Sequence, residues 1–216
     1  MKTKNTDTFI LAIHCTNDQF GFGFRKINYT NNCQEIFTKK FDKNLTNNLI
    51  VDLDKFLHPK SFNSIRRICV SLGPANFNAT RLMIVLARTI SQQINCSLDA
   101  YSSFLLMAKR IAIQNNIISD SNQSFWIQNK LKQRGYICGK YQIITNKKNP
   151  LKNNIKELIQ PNLFKELPRE GLHFDVDYNI TNDLEELLDY SLINHNNSVQ
   201  NRWEDVFPIY PISATN

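Results

Sequence analysis

Glycine and histidine are scarce in this chain of 216 residues, at six and four. With so few glycines, there are few places where the backbone can fold closely around a phosphate. The histidines, His14, His58, His173 and His195, lie far apart and share no metal spacing. The five cysteines, Cys15, Cys33, Cys69, Cys96 and Cys138, are odd in number and never form a Cys-x-x-Cys pair. That excludes both a zinc ribbon and a disulfide framework. Three of them sit in apolar, strand-like runs, where a thiol acts as a small core hydrophobe. No apolar run reaches the length of a membrane helix. The polar start, Met1–Thr8, leads into an apolar run too short for a secretory signal, so the expected compartment is the reducing cytoplasm. No hydrolase-type nucleophile motif is present.

What remains is a soluble-type composition, 42% hydrophobic, with a net charge of +7 and a pI near 9.2. The basic pairs Lys39-Lys40, Arg66-Arg67, Lys109-Arg110 and Lys147-Lys148 are spread thinly. They read as a mildly basic, solvated surface, with a nucleic-acid partner as the alternative.

The pattern predicts strands over Thr8–Cys15, Phe20–Ile27, Cys33–Phe41 and Ile65–Leu72, with a helix over Leu45–Leu57. His58-Pro59 ends that helix. A second helix starts near Asn78 or Ala79, with Asn76 or Asn78 as a cap. A short strand follows at Cys96–Leu98, then a third helix capped by Asp99 or Ser102. Both later helices are apolar nearly all round, so they must be covered on more than one side. After a linker at Gln114–Gln123, Ser124–Ile127 and Tyr136–Thr145 read as strands. Asn146–Asn154 reads as a basic loop, and Ile155–Ile159 and Asp183–Ile193 as short helices. Asp175 and Asp177 alternate with apolar residues, as on a solvated strand face. The expected domains are residues 1–116 and a smaller, looser 117–216.

The segment Ser71–Arg81 sits where ligand loops sit in open α/β sheets, between a strand's carboxyl end and a helix. Its residues, Gly73-Pro74-Ala75-Asn76-Phe77-Asn78-Ala79-Thr80-Arg81, offer a helix amino terminus and Arg81 to an anion. Ala75 and Ala79 crowd the approach that glycine would allow. The expectation is an ordinary strand-to-helix turn.

Several of these segments resemble the TsaB (YeaZ) family, the non-catalytic partner of the tRNA threonylcarbamoyltransferase TsaD. They are Ile10-Leu11-Ala12-Ile13-His14-Cys15-Thr16, the Gly73–Arg81 loop, Tyr101-Ser102-Ser103-Phe104 and Pro208-Ile209-Tyr210. Fainter likeness lies in Gln133-Arg134-Gly135-Tyr136-Ile137. The resemblance covers most of the chain and is strongest in its first 110 residues. It implies an α/β, actin-like and sugar-kinase-like (ASKHA) fold, with two subdomains that are each a mixed sheet flanked by helices.

The chain departs from the family at His14, where an Asp is usual, and at Ala75, Asn76 and Ala79, where Gly or Ser is usual. Together with Gly73, Pro74 and Arg81, these imply a degenerate nucleotide loop with no metal, no cofactor and no catalytic residue. The resemblance further implies a TsaD-like partner, a TsaE-like ATPase recruited to the pair, and tRNA reached indirectly through the complex. It implies a weak homodimer of the free chain and no membrane. The interface would use Leu82, Val85, Leu86, Arg88 and Thr89 on one helix, and Phe104, Met107, Ala108 and Ile111 on the next. The alternatives are a small-molecule kinase or acyltransferase of the same fold, or a tRNA-binding accessory module.

Overall fold

The computed structural model describes residues 7–27, 34–42, 45–117, 123–144 and 154–211. The chain forms two compact units, residues 1–101 with 180–208, and residues 102–179 with 209–216.

The first unit is built on a mixed sheet of five strands: β1 (Phe9–Cys15), β2 (Gln19–Lys26), β3 (Gln34–Lys40), β4 (Ile65–Ser71) and β5 (Ser97–Tyr101). Their order is β3-β2-β1-β4-β5. The β1–β2–β3 meander is antiparallel, while β4 and β5 join parallel to β1. β1 is buried along its whole length, as a strand covered on both faces must be. Strand alternation splits its side chains. Leu11, Ile13 and Cys15 enter a core with Leu49 and Leu53 of α1 (Leu45–Phe56) and Met83, Ile84 and Ala87 of α2 (Phe77–Ile94). The other face, with Ala12 and His14, meets α4 (Ile180–Asn196).

Two glycines let α4 come close. A Cβ on Gly21 would lie 2.6 Å from the Phe37 carbonyl oxygen and 2.9 Å from Leu184 Cδ1. On Gly23 it would lie 3.2 Å from Leu188 Cδ1. Each of Leu184, Leu187 and Leu188 is fully buried, worth up to about 1.5–3 kcal/mol apiece.

A polar network adds to this contact. Arg67 and Asp99, 2% and 0% exposed, form a bidentate pair through Nε and Nη2 at 2.6 and 3.0 Å. Ser191 and Asn194 of α4 donate to the same carboxylate at 2.6 and 2.9 Å, and Asn201 donates at 2.6 Å. Arg67 also donates to the Val199 carbonyl at 2.7 Å.

The second unit holds α3 (Ser103–Gln114) and a mixed sheet of order β8-β7-β6-β9. Its strands are β6 (Ser124–Leu131), β7 (Gly135–Ile144), β8 (Asn154–Phe164) and β9 (Leu172–Asp175). α3 packs on β7 and β8.

Two mixed sheets flanked by helices are the architecture expected of an actin-like chain. Several details differ from expectation. The division is not at residue 116, because α3 clusters with the second unit and α4 with the first. Ile155–Ile159 is not a helix. It lies in β8, where pairing with β7 overrides local preference, and Pro161 is tolerated because β8 is an edge strand. Asp99 does not cap α3. Ser102 does, accepting the Leu105 N–H at 3.1 Å. Cys33 and most of the expected loop at 146–154 lie outside the described residues.

Asp99→Ala should strand a buried guanidinium and cost about 3–5 kcal/mol. Urea unfolding followed by circular dichroism measures the loss, and a change under 1 kcal/mol would contradict the network's role.

Candidate functional site

The site is built where β1, β4 and α2 converge. β1 ends at Cys15 and the chain turns through Thr16–Gln19. The Thr16 N–H donates to the Gln19 carbonyl at 2.8 Å, and the Gln19 N–H returns to Thr16 Oγ1 at 3.2 Å. β4 ends at Ser71 and leads to Gly73, whose φ of +85° suits glycine and strains any other residue. A cis Gly73-Pro74 bond follows. Gly73 and Pro74 are buried, and Ala75 packs against the core of the first unit.

Asn76 caps α2 from its exposed position. Its side-chain oxygen accepts the Ala79 N–H at 3.1 Å, and its carbonyl accepts the Thr80 N–H and hydroxyl, both at 2.9 Å. Arg81 stacks over the Phe77 ring at 5.5 Å. The helix terminus that would receive an anion is therefore partly occupied by the chain's own cap.

His14 is fully buried and joins three elements. Its Nδ1 lies 2.6 Å from Ser71 Oγ, and its Nε2 lies 3.4 Å from Asp183 Oδ2 on α4. A carboxylate only accepts, so Nε2–H donates to Asp183, while Nδ1 shares a hydrogen bond with the Ser71 hydroxyl. Both ring nitrogens are then engaged. A ring with no free lone pair is no ligand for magnesium. Among the described residues no group of three or more His, Cys, Asp or Glu could hold a metal ion.

Ser71, His14 and Asp183 lie in a row in the order of an acyl-transfer triad. All three are 0% exposed, so no substrate carbonyl can reach Ser71 Oγ. The sequence reading singled out His14 but missed both of its partners. The four described cysteines offer no alternative nucleophile. Burial pushes the Cys15 thiol up to about 12, Cys69 well above its ordinary value, and Cys96 and Cys138 up to about 11. At neutral pH they are protonated and unreactive.

The expected interface residues part ways. On α2, Val85 is 59% exposed, Thr89 and Arg81 are exposed, and Leu82, Leu86 and Arg88 are half-buried. The Arg88 guanidinium sits over both the Trp203 and Phe207 rings, at 5.5 and 5.2 Å. On α3, Phe104, Met107, Ala108 and Ile111 are 0–2% exposed. Met107 Sδ also accepts the Asp177 N–H at 3.4 Å. The expectation that these α3 residues face a partner is corrected: they are core. Asp175 is exposed and Asp177 half-exposed, in line with the expected solvated face. Gln128 donates to Asp175 at 3.1 Å, and Arg110 pairs with Asp177 at 2.9 Å.

The second unit holds one further cluster. Glu157 accepts hydroxyl protons from Ser102 and from Tyr141, the latter at 3.1 Å. Burial raises the Glu157 carboxyl above its ordinary range, and the two hydroxyls offset part of the rise.

Two tests follow from this geometry. Val85→Asp should melt like the wild type, whereas Met107→Asp buries an unpaired charge and should unfold the chain. Equal melts for the two variants would refute the assignment of faces. For Glu157, the folded state binds a proton more tightly than the unfolded state. Its contribution is therefore most favourable below the unfolded carboxyl pKa and declines as pH rises through the folded one. Glu157→Gln should gain stability relative to wild type between acid and neutral pH, and urea midpoints against pH would read the gain. A constant difference across that range would contradict it.

No protein-family model matches the chain, and no curated protein does. Solved structures do match. A Pseudomonas aeruginosa protein described as uncharacterized with similarity to the peptidase YeaZ superposes with a TM-score of 0.67 at 10% identity, over 95% of this chain and 100% of that one. YeaZ from Pseudomonas aeruginosa superposes with a TM-score of 0.61 at 12% identity, over 94% and 99%. The chain thus has the YeaZ fold over nearly its whole length.

Proposed function

We propose that the chain is a catalytically silent, TsaB-like subunit. It binds and stabilises a TsaD-like protein, helps recruit a TsaE-like ATPase, and so supports formation of threonylcarbamoyladenosine in tRNA. The carrying observation is that a chain of YeaZ-like fold fills its own phosphate-loop position. Asn76 caps α2 and His14 is held by Ser71 and Asp183. The motif likeness at Ile10–Thr16 and Gly73–Arg81 supports the same reading.

The rival readings have less support. A kinase or acyltransferase needs a carboxylate where His14 stands and a loop free to wrap phosphate. The peptidase named in one neighbour's description needs a reachable nucleophile, and the Ser71 row is closed to solvent.

The face of α2 with Leu82, Val85, Leu86, Arg88 and Thr89 is the docking surface in this reading. Its exposed centre is Val85, with Arg81 one turn before and Arg88 one turn after. Two copies docked through this face bring arginines together, which keeps the homodimer weak and favours exchange for an acidic partner.

Co-elution with the TsaD-like protein of the same genome tests the reading. A heterodimer is expected, and Val85→Asp should weaken it by about thirtyfold, the equivalent of about 2 kcal/mol. The isolated chain should show no ATP hydrolysis or threonylcarbamoyl transfer. Turnover that disappears in His14→Ala would sink the silent-subunit reading, and failure of the wild type to co-elute would sink the partner.

A further inference from the structure

Charge is segregated in this chain. Between Asp120 and Glu157 the sequence holds eight lysines and arginines and no aspartate or glutamate. The remainder has 18 basic residues against 19 acidic ones, so the whole net charge of +7 originates here. Three of the eight, Lys147, Lys148 and Lys152, lie outside the described residues and are not used below.

Strand register places the others. Lys130 pairs with Tyr136, Trp126 with Lys140 and with His173, and Gln142 with Lys156. Directly paired residues share a face, and so do alternate residues along a strand. Lys130, Tyr136, Lys140, Lys156 and His173 therefore lie on one face of the second sheet. The opposite face carries Phe125, Ile127 and Tyr141, all 0% exposed. At 3.3–3.4 Å per residue the three lysines span about 20 Å.

The hairpin between β6 and β7 adds exposed Lys132 and Arg134 at one end of this line. Aromatic rings are interleaved with the cations. Lys130 Nζ lies 6.0 Å from the Tyr136 ring centre, and Lys140 Nζ lies 5.4 Å from that of Trp126. His173 stacks on Trp126 at 6.2 Å, and Phe164 meets it edge-on at 5.7 Å. Trp126 is only 6% exposed and so holds the face rigid, while Tyr136 is partly open. Asp175 shares this face, with Gln128 donating to it at 3.1 Å.

We propose that this face contacts RNA directly, with Lys130, Lys140, Lys156 and the hairpin cations along the phosphate backbone and Tyr136 under a base. A line of cations beside an open ring matches a nucleic-acid strand. An anionic bilayer would call for apolar side chains at the hairpin tip, and Lys132, Gln133 and Arg134 stand there instead. The polyanion character stands on the geometry alone. The choice of RNA rests on the proposed role in tRNA modification, and extends it from tRNA reached through the complex to tRNA touched by this chain.

The experiment is fluorescence anisotropy of the full chain with an unmodified tRNA transcript, from 50 to 200 mM salt. Five phosphate contacts should weaken binding by about a hundredfold or more across that range. Lys130→Glu with Lys140→Glu should weaken it at least about tenfold and lower the log–log salt slope by about 2. Tyr136→Ala should cost about fivefold or more. Lys55→Glu with Arg66→Glu makes the same charge change on exposed positions of the first unit, and should leave binding within about twofold. Circular dichroism melts verify that every variant folds.

No tRNA binding at 50 mM salt overturns the proposal. So does an equal loss in the Lys55/Arg66 pair, or phosphatidylserine vesicles that bind more tightly than tRNA. Each of these results leaves the TsaD-like partner standing, because that is read by co-elution. Conversely, tRNA binding that follows the pattern above survives a failure to co-elute.

Discussion

The first unit depends on a single buried ion pair. Arg67 leaves β4 and meets Asp99 on β5, and neither is accessible to water. Isolated, such a pair costs more in desolvation than its attraction returns. Here the cost is offset because nearly every polar atom is used. Asp99 accepts from Arg67, Ser191, Asn194 and Asn201, and Arg67 also reaches Ser97 and the Val199 carbonyl. Residues about a hundred positions apart are drawn together. The Gly21 and Gly23 notches then give α4 a seat that leucine side chains fill.

The same helix shapes the site. Asp183 on α4 orients the ring of His14, which in turn holds Ser71 at the end of β4. The end of β1 is thus a structural joint between β4 and α4. Docking of α4 and the engagement of both His14 ring nitrogens are two aspects of one arrangement.

Much of this was legible in the sequence. The buried run of β1, the periodicity of α1 and the candidate caps, Asn76 or Asn78 and Asp99 or Ser102, are local signals, and the structure uses Asn76 and Ser102. The Gly73–Arg81 loop was placed correctly, and its crowding was visible in Ala75. What escaped was non-local. Ser71 and Asp183 are separated by more than a hundred residues, so nothing in the sequence paired either with His14. Arg67 looked like half of a surface pair with Arg66, yet strand alternation sends one out and buries the other. Ile155–Ile159 resembled a helix because its apolar spacing is ambiguous over five residues. The basic segment as a whole was missed for a simpler reason: apart from the Lys147-Lys148 pair its cations are scattered singly, and only the absence of acids around them marks it. A windowed charge count would have found it.

The discontinuity of the first unit bears on how the protein is made. Its sheet is complete by Tyr101, but α4 and the residues that close over Asp99 come from beyond position 180. On a ribosome adding about 5–20 residues per second, the emerging sheet waits several seconds with the Gly21–Gly23 notch uncovered and the Arg67–Asp99 pair short of partners. During that interval the nascent chain shows an apolar groove and an under-satisfied charge, the features that chaperones bind. The lag is set by the length of the inserted second unit, so lengthening that insertion would prolong the exposure without altering a contact in the finished fold.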